Sequence, residues 1–482
     1  MSFETHPQYR SVTARFRTAI AIACGLSLFI FVYATVHMEI EPLWLFLAAP
    51  VPALLWVLVR KFPIALMVAL VYVGNFKPHA AMGISVTDPT LIVVVLLYAA
   101  VFLKLLLAAT GIEDPSLRDL FAGQMLGVTA FFLLVLVIAI SYTYTAAPGI
   151  GGDRALKLVG FDVLAFVAPL IVLRAERDVR QFVLFSALAG LALAGQTMYR
   201  VLHPTGDLLS GNEDPTQIGA GVLMGTAALM VLYFPLATTR AFRALSLGCV
   251  AVFTIGTVAS LSRGAILWLL FVATASSIFL RLPQGSLSRR SILIAAVAVA
   301  ILASVSVMWL QHLPATYSKF AAKTGELTRA LQGMSTPSGT AGQRFSFAES
   351  ALQAFLAKPW LGWGVGGWST LWHYSYERPL TYPHNFVLEV AAEQGMAGLV
   401  PLVLVLAAVI GGCTKVLKSS DARLVFIVPV AALGFLCHLT SGSIEDRGLW
   451  LWCGTLFAIA RMVGQHQQHQ AGTWSRLAWE ST

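Results

Sequence analysis

Three residues far apart in the sequence carry side chains of complementary chemistry: Arg263, Arg344 and His384. An imidazole titrates near neutrality, so it can take a proton from a hydroxyl. A guanidinium fork suits phosphate oxygens, and a diphosphate would engage two or three of them. A cationic pair with a base is therefore a set suited to attack on a sugar linked to diphosphate. The leaving group is already good, so no general acid is required, and the arginines would hold the charge that develops on it. Arg263 stands in Ser260-Leu261-Ser262-Arg263-Gly264-Ala265, a short polar break between two apolar runs, where Gly264 permits a tight turn. His384 stands in Tyr382-Pro383-His384-Asn385, where an apolar run resumes, and Glu389 and Glu393 follow one helical turn apart. Each residue also has a plainer reading: a hairpin with an anchoring arginine, or a structural histidine. His438, His373 and His203 are weaker candidates for the base.

The elements that must position these residues are apolar. The 482-residue chain is 57% hydrophobic and only 11% charged, where a soluble domain carries about 25% charged residues. With a mean hydropathy of +0.77 over the whole length, it reads as an all-α polytopic membrane protein. Runs long enough to span are expected near 18–37, 43–59, 62–76, 88–109, 124–142, 155–173, 179–199, 216–238, 242–260, 264–281, 291–310, 386–412, 423–440 and 448–463, giving about 12–14 transmembrane helices. The net charge of +9 is a topology signal rather than a nucleic-acid footprint. Arg10, Arg15, Arg17, Arg60, Lys61, Arg118, Arg174, Arg177, Arg180, Arg240, Arg243, Arg281, Arg289, Arg290, Lys415, Lys418, Arg423, Arg461 and Arg476 fall on one side, against Lys77, Arg154, Arg200, Arg263 and Arg447 in short loops of the other. The positive-inside rule then puts both termini in the cytoplasm. Four parts follow: N-terminal spans over 1–310, a large outer loop over 311–385, C-terminal spans over 386–463 and a cytoplasmic tail over 464–482. The five cysteines all lie within or at the end of apolar runs and read as small core residues.

Cations kept on the outer side need a reason. Arg154, Lys157, Arg200 and Arg447 could serve an anionic ligand, or pair with Asp153, Asp162, Glu445 and Asp446 or with lipid headgroups. The long loop has internal order: Phe347, Ala351 and Phe355 recur at helical spacing, predicting a surface helix over 345–357 that Lys358-Pro359 ends. Trp360-Leu361-Gly362-Trp363-Gly364-Val365-Gly366-Gly367-Trp368 follows, whose tryptophans suit either sugar stacking or an interfacial belt. No Asp-x-Asp pair and no His/Cys cluster falls on the expected outer side, so no metal and no cofactor is indicated. Glu39 and Glu41 form a reserve acidic pair. His466 and His469 lie in a Gln/His-rich stretch that reads as a solvated tail.

The motifs Ser262-Arg263-Gly264-Ala265, Gly342-Gln343-Arg344 with Lys358-Pro359-Trp360-Leu361-Gly362-Trp363-Gly364, and His384-Asn385 with Glu393, Gly395 and Gly398 together resemble the O-antigen ligase and polymerase superfamily of bacterial envelope glycosyltransferases. The likeness is specific over about 250–400 and only hydropathic before Asp214. It implies a helical bundle of the bacterial inner membrane with a large periplasmic loop. It also implies a metal-independent, inverting transfer of glycan from undecaprenyl diphosphate to an acceptor hydroxyl on a glycan, lipid A-core or protein, in lipopolysaccharide or exopolysaccharide synthesis, with ligase preferred over polymerase. By that resemblance His384 activates the acceptor hydroxyl and Arg263 and Arg344 hold the diphosphate, with Arg200 in support. Ser262, Lys157, Glu389, Glu393 and Arg447 are secondary candidates. The segment Gly211-Asn212-Glu213-Asp214-Pro215-Thr216 departs from the family pattern at Thr216, where Asn is usual. A transporter or flippase of lipid-linked oligosaccharide is the rival reading, because broken helices and a buried Asp162 also suit a substrate pathway.

Overall fold

The computed structural model describes residues 57–76, 89–109, 121, 123–202, 215–234, 236, 239–260, 262–280, 340–371, 382–419 and 421–480. The chain divides into two compact units, Met1–Phe62 and Pro63–Thr482. Residues 57–61 of the first are helical. The expected spans 18–37 and 291–310, most of 43–59, the pair Glu39 and Glu41, and His203, His373 and residues 211–214 lie outside the described residues.

Among the described residues there is no strand. The helices are α1 (Pro63–Tyr72), α2 (Pro89–Ala109), α3 (Met125–Ser141), α4 (Pro148–Lys157), α5 (Val163–Val172), α6 (Glu176–Leu202), α7 (Pro215–Tyr233), α8 (Arg240–Ala259), α9 (Arg263–Phe279), α10 (Thr340–Ala357), the single turn α11 (Trp368–Leu371), α12 (Phe386–Leu417), α13 (Ile427–Ser441) and α14 (Arg447–Glu480). Among the described residues seven stretches are long and apolar enough to cross a membrane: Pro89–Ala109, Met125–Tyr144, Pro148–Val172, Glu176–Leu202, Ala241–Ala259, Phe386–Leu417 and Arg423–Ser441. Pro63–Phe76, Ile218–Tyr233 and Arg263–Phe279 are shorter apolar helices. Each falls on an expected span, so the protein is a multi-pass, all-helical membrane protein. The outward faces match this reading: Ile92, Val95, Phe102 and Leu106 of α2 are exposed, as side chains facing lipid would be.

Two boundaries differ from expectation. The span expected at 155–173 begins at Pro148. Its Pro-Gly-Ile-Gly-Gly start reads as a loop by composition, yet proline suits a helix's first turn, where its missing N–H costs nothing. Gly151 lets this turn meet the Val365 carbonyl, which a Cβ would strike. A π-helical turn, Leu158–Asp162, then joins α4 to α5. At the other end of the chain, α14 does not stop at 463: the stretch read as a solvated tail continues the helix to Glu480. Gln, Ala, Arg and Leu are adequate helix formers, so nothing local ends it there.

Between helices, lipid supplies no hydrophobic drive, so close packing must hold the bundle. On α14, Gly454 lets the Phe166 backbone of α5 approach where a Cβ would clash. Phe131 of α3 stacks on Phe166 at 3.9 Å and meets Trp450 of α14 at 4.7 Å, while Phe457 meets Phe166 edge-on. Buried hydroxyls bond carbonyls across helices, Tyr72 to Leu223 and Tyr233 to Ala273. At one end of the bundle Arg461 donates to the carbonyls of Leu170 and Leu173, and Arg423 pairs with Glu176. The candidate residues gather at the opposite ends of these helices.

Candidate active site

The C-terminal end of α13 and its connection to α14 form the hub. Thr440 accepts a hydrogen bond from Trp268 Nε1 of α9 at 3.1 Å. Gly264 faces Thr440 and Ser441, with room for no more than a Cβ in van der Waals contact. This seats the Ser262-Arg263-Gly264 break against the end of α13, with Ser262 buried at the start of α9 and Arg263 half-buried. Gly221 of α7 packs against Ser260 and Ser262 from behind. Val201 packs with Val258 and Ala259, so the half-buried Arg200 beside it belongs to the same end as Arg263.

From the other side, Asn385 ties the start of α12 to the same point. Its Oδ1 accepts from the Val387 and Leu388 amides at 3.0 Å each, an N-cap. Its Nδ2 donates to the Leu439 carbonyl at 2.9 Å. His384, the preceding residue, has φ of 56°, a left-handed conformation that is uncommon outside glycine, costs about 1–3 kcal/mol and persists only where the surroundings enforce it. They do. Its ring lies 4.7 Å from Tyr382 and 5.8 Å from Phe347 of α10. Arg344 precedes Phe347 by three residues and so shares its helix face. The Tyr382 hydroxyl is pushed up to about 12, first by burial and then by Asp446 and Glu445, while Arg154 and Arg344 act in the opposite sense. The structure thus brings His384, Arg344 and the Arg263 segment to one end of the bundle.

Beyond the sugar stacking or interfacial belt expected of its tryptophans, the glycine-rich loop has a backbone role. α12 breaks at Gly395 (φ 61°, ψ −151°), and the loop fills the break. Trp363 and Gly364 amides donate to the Ala392 and Glu393 carbonyls at 3.1 and 2.8 Å, and the Met396 and Ala397 amides donate to Pro359 and Trp360 at 2.7 and 3.0 Å. Gly364 has φ of 80°, and a Cβ there would come within 2.5 Å of the Thr145 Cα. The spaced glycines therefore serve backbone approach. The tryptophans divide: Trp368 is fully buried with Phe347, Ala351, Ala354 and Ala392, Trp363 donates to the Ala354 carbonyl, and Trp360 is 75% exposed. The stripe that α10 buries is Phe347, Ala351 and Ala354, rather than Phe355.

Glu389 and Glu393 face inward, away from solvent, and meet Arg154 of α4. That guanidinium pairs with Glu389, with Glu393 at 2.7 Å and with Glu445 at 3.2 Å, all within the protein interior. Glu389 also accepts from Ser443 Oγ and the Ile444 amide at 2.9 and 3.0 Å. Of the two roles open to Arg154, pairing with local acids is the one realised. Arg447 donates to the Leu70 carbonyl at 3.0 Å and lies over the Phe161 ring, while Lys157 is exposed on α4. His438 meets Asp446 at 3.2 Å and the Gly434 carbonyl at 2.6 Å. Among the described residues, no three His, Cys, Asp or Glu side chains are grouped so as to hold a metal ion.

Residues 247–403, less than half of the chain, match the family model described as O-antigen ligase. This segment holds Arg263, Arg344, His384 and the whole glycine-rich loop. Arg154, Arg200, His438 and Arg447 lie outside it. No curated protein matches the chain. Sequence reasoning gave Tyr382 and Asn385 no separate part. An Asn just ahead of an apolar helix is an N-cap signal, whereas nothing in the sequence pairs Arg154 with residues more than two hundred positions away.

Proposed function

We propose that the protein is an O-antigen ligase-type glycosyltransferase that joins a glycan from undecaprenyl diphosphate to an acceptor hydroxyl at the periplasmic face of the bacterial inner membrane. His384 takes the acceptor proton, the freed oxygen attacks the anomeric carbon opposite the diphosphate, and the sugar–phosphate bond breaks with inversion. The electron pair leaves on the diphosphate, whose growing charge Arg263 and Arg344 hold, with Arg200 nearby. The observation that carries this reading is the enforced left-handed placement of His384 beside Tyr382 and the α10 face bearing Arg344, at the helix end where the Arg263 segment also packs. The family match over 247–403 supports the reaction class. Ligase is taken ahead of polymerase here, the motifs shared by both serving only the donor and the base.

The test is glycan transfer in a deletion strain carrying single variants. Losing a cation from a desolvated phosphate contact costs about 2–5 kcal/mol, and losing a general base about 10²–10⁴ in rate. Arg263→Ala, Arg344→Ala and His384→Ala are therefore expected to abolish transfer while the protein still inserts. Full transfer by all three would sink the proposal. Long polymer accumulating on the carrier in the deletion strain marks a ligase, and single repeat units mark a polymerase.

A further inference from the structure

Beside the hub lies a cavity of about 250 Å³ that none of the three proposed diphosphate arginines lines. Its walls come from the end of α1, the start of α7, the end of α13 and the start of α14. The polar side chains facing it include Asn75, Tyr382, His438, Ser441, Ser443, Glu445, Asp446 and Arg447. One guanidinium and one imidazole stand against two carboxylates, so the lining carries no excess of positive charge, which is unlike a site built for an anion. Two carboxylates would repel a diphosphate, and discrimination by such repulsion is as effective as attraction.

The lining has unused hydrogen-bonding capacity. Glu445 Oε2 and Trp452 Nε1 are both buried without a hydrogen-bond partner, an acceptor and a donor. Trp452 is 1% exposed, and its Nε1 lies beside Gly448, another lining residue. Buried polar atoms are rarely left unsatisfied, so a pair of opposite kind around one cavity points to a ligand able both to donate and to accept. The Asp446 side chain is 45% exposed although it sits beside a buried His438, so its open side looks into the cavity. His438, which also lines the cavity, meets that carboxylate at 3.2 Å. The volume is a little under the roughly 300–1,000 Å³ of small-molecule pockets, room for one ring rather than a chain.

We propose that this cavity is a sugar subsite, binding one neutral, polyhydroxylated ring through Glu445, Asp446, Arg447 and Trp452 Nε1, separate from the diphosphate site. This rests on the transferase reading above and adds to it where a sugar next to the reacting centre sits. Tyr382 joins the two, since it lines the cavity and its ring touches that of His384. The ring is either the acceptor's sugar or a sugar of the donor glycan.

The experiment uses the full-length protein in nanodiscs and saturation-transfer NMR with glucose, galactose, N-acetylglucosamine and rhamnose. At least one sugar is expected to give a signal that survives excess inorganic pyrophosphate. The signal should fall at least tenfold in Asp446→Asn. It should fall likewise in Gly219→Val, which fills the cavity from α7, where a Cβ meets nothing closer than Asn75 Oδ1 at 3.7 Å. No signal from the parent protein, displacement by pyrophosphate, or a signal surviving in either variant overturns the proposal. Steady-state transfer with native donor and acceptor then assigns the source: a raised KM for the acceptor alone places the acceptor's sugar there, and a raised KM for the donor alone places the donor's. A parent protein that binds sugar but performs no transfer would refute the proposed function and leave the subsite standing.

Discussion

Replacing Arg154 with methionine removes the guanidinium that pairs with Glu389, Glu393 and Glu445, while keeping most of the side chain's bulk. Removing one partner of a buried ion pair costs about 3–5 kcal/mol, because the charge left behind has lost both water and its counter-ion. Glu389 keeps its bonds from Ser443 and Ile444, so its share of the loss is small. Glu393 and Glu445 carry the rest, and the expected destabilisation is about 3–5 kcal/mol. Neutralising an orphan should return part of it: Glu393→Gln added to Arg154→Met is expected to recover stability, with a coupling of about 0.5–3 kcal/mol. Equilibrium unfolding in mixed micelles of increasing SDS fraction, followed by tryptophan emission, measures all four corners of the cycle. A loss below about 1 kcal/mol for the single variant, or additive losses in the double variant, would refute the view that Arg154 is a structural counter-ion. The outcome also bears on activity, since Glu389 lies one turn into the helix that Asn385 caps and His384 precedes.

Three further outcomes are expected. Asn385→Ala should cost about 1 kcal/mol through the lost cap and should lower kcat more than it raises KM, because the Leu439 tie that fixes His384's approach is lost with it. Asn385→Asp keeps the cap and so should regain stability without regaining kcat, and equal recovery of both would contradict this. Gly395→Ala should abolish stable expression, as its Cβ would come within 2.6 Å of the Pro359 carbonyl at a positive φ, so normal levels of folded protein would show that the loop yields. Burial works against the charge of Asp446, but His438, the Gly448 amide and Arg447 hold its carboxyl down to about 2. Its unfolded value is about 3.9, so its contribution is complete above about pH 4 and is lost as pH falls towards 2. Asp446→Asn should flatten the acid limb of a stability–pH series, and identical limbs would count against the His438 pairing.

How much of this was legible in the sequence depended on the range of the interaction. Span positions follow from local apolar runs, so α2, α3, α6, α8 and α13 fall where hydropathy places them. Arg263 and His384 were named by residue type and by position at apolar boundaries, and Arg344 from the start of the helix expected within the long loop; the fold then brings them to one end. The misjudged features are those fixed by partners far along the chain. A Pro-Gly-Ile-Gly-Gly run looks like a loop until Val365 is seen to need its bare backbone. The glycines of 362–367 look permissive until Gly395 opens the gap they fill. Composition alone also could not show that a Gln/His-rich stretch lacks any signal to stop a helix.

The broken helix bears on the choice between transfer and transport. A discontinuous helix in a transporter leaves free backbone groups that line a pathway and meet its cargo. In this protein the freed amides and carbonyls around Gly395 are met by Pro359, Trp360, Trp363 and Gly364, so the gap is closed by the chain itself. The same loop is anchored to α3 and the following turn, through Ser141 to Val365, Tyr144 to Leu361 and Thr145 to Val365. An element latched to α3 and the turn after it on one side and threaded through the break in α12 on the other resists the rocking that alternating access needs. It suits an enzyme that must hold α10, and with it Arg344, at a constant distance from His384. Cutting the latch should therefore reduce transfer by loosening the site: Thr145→Val with Ser141→Ala is expected to lower kcat while leaving insertion intact. A gain in glycan flux across vesicles from the same variant, with no bond formed, would favour the transporter instead.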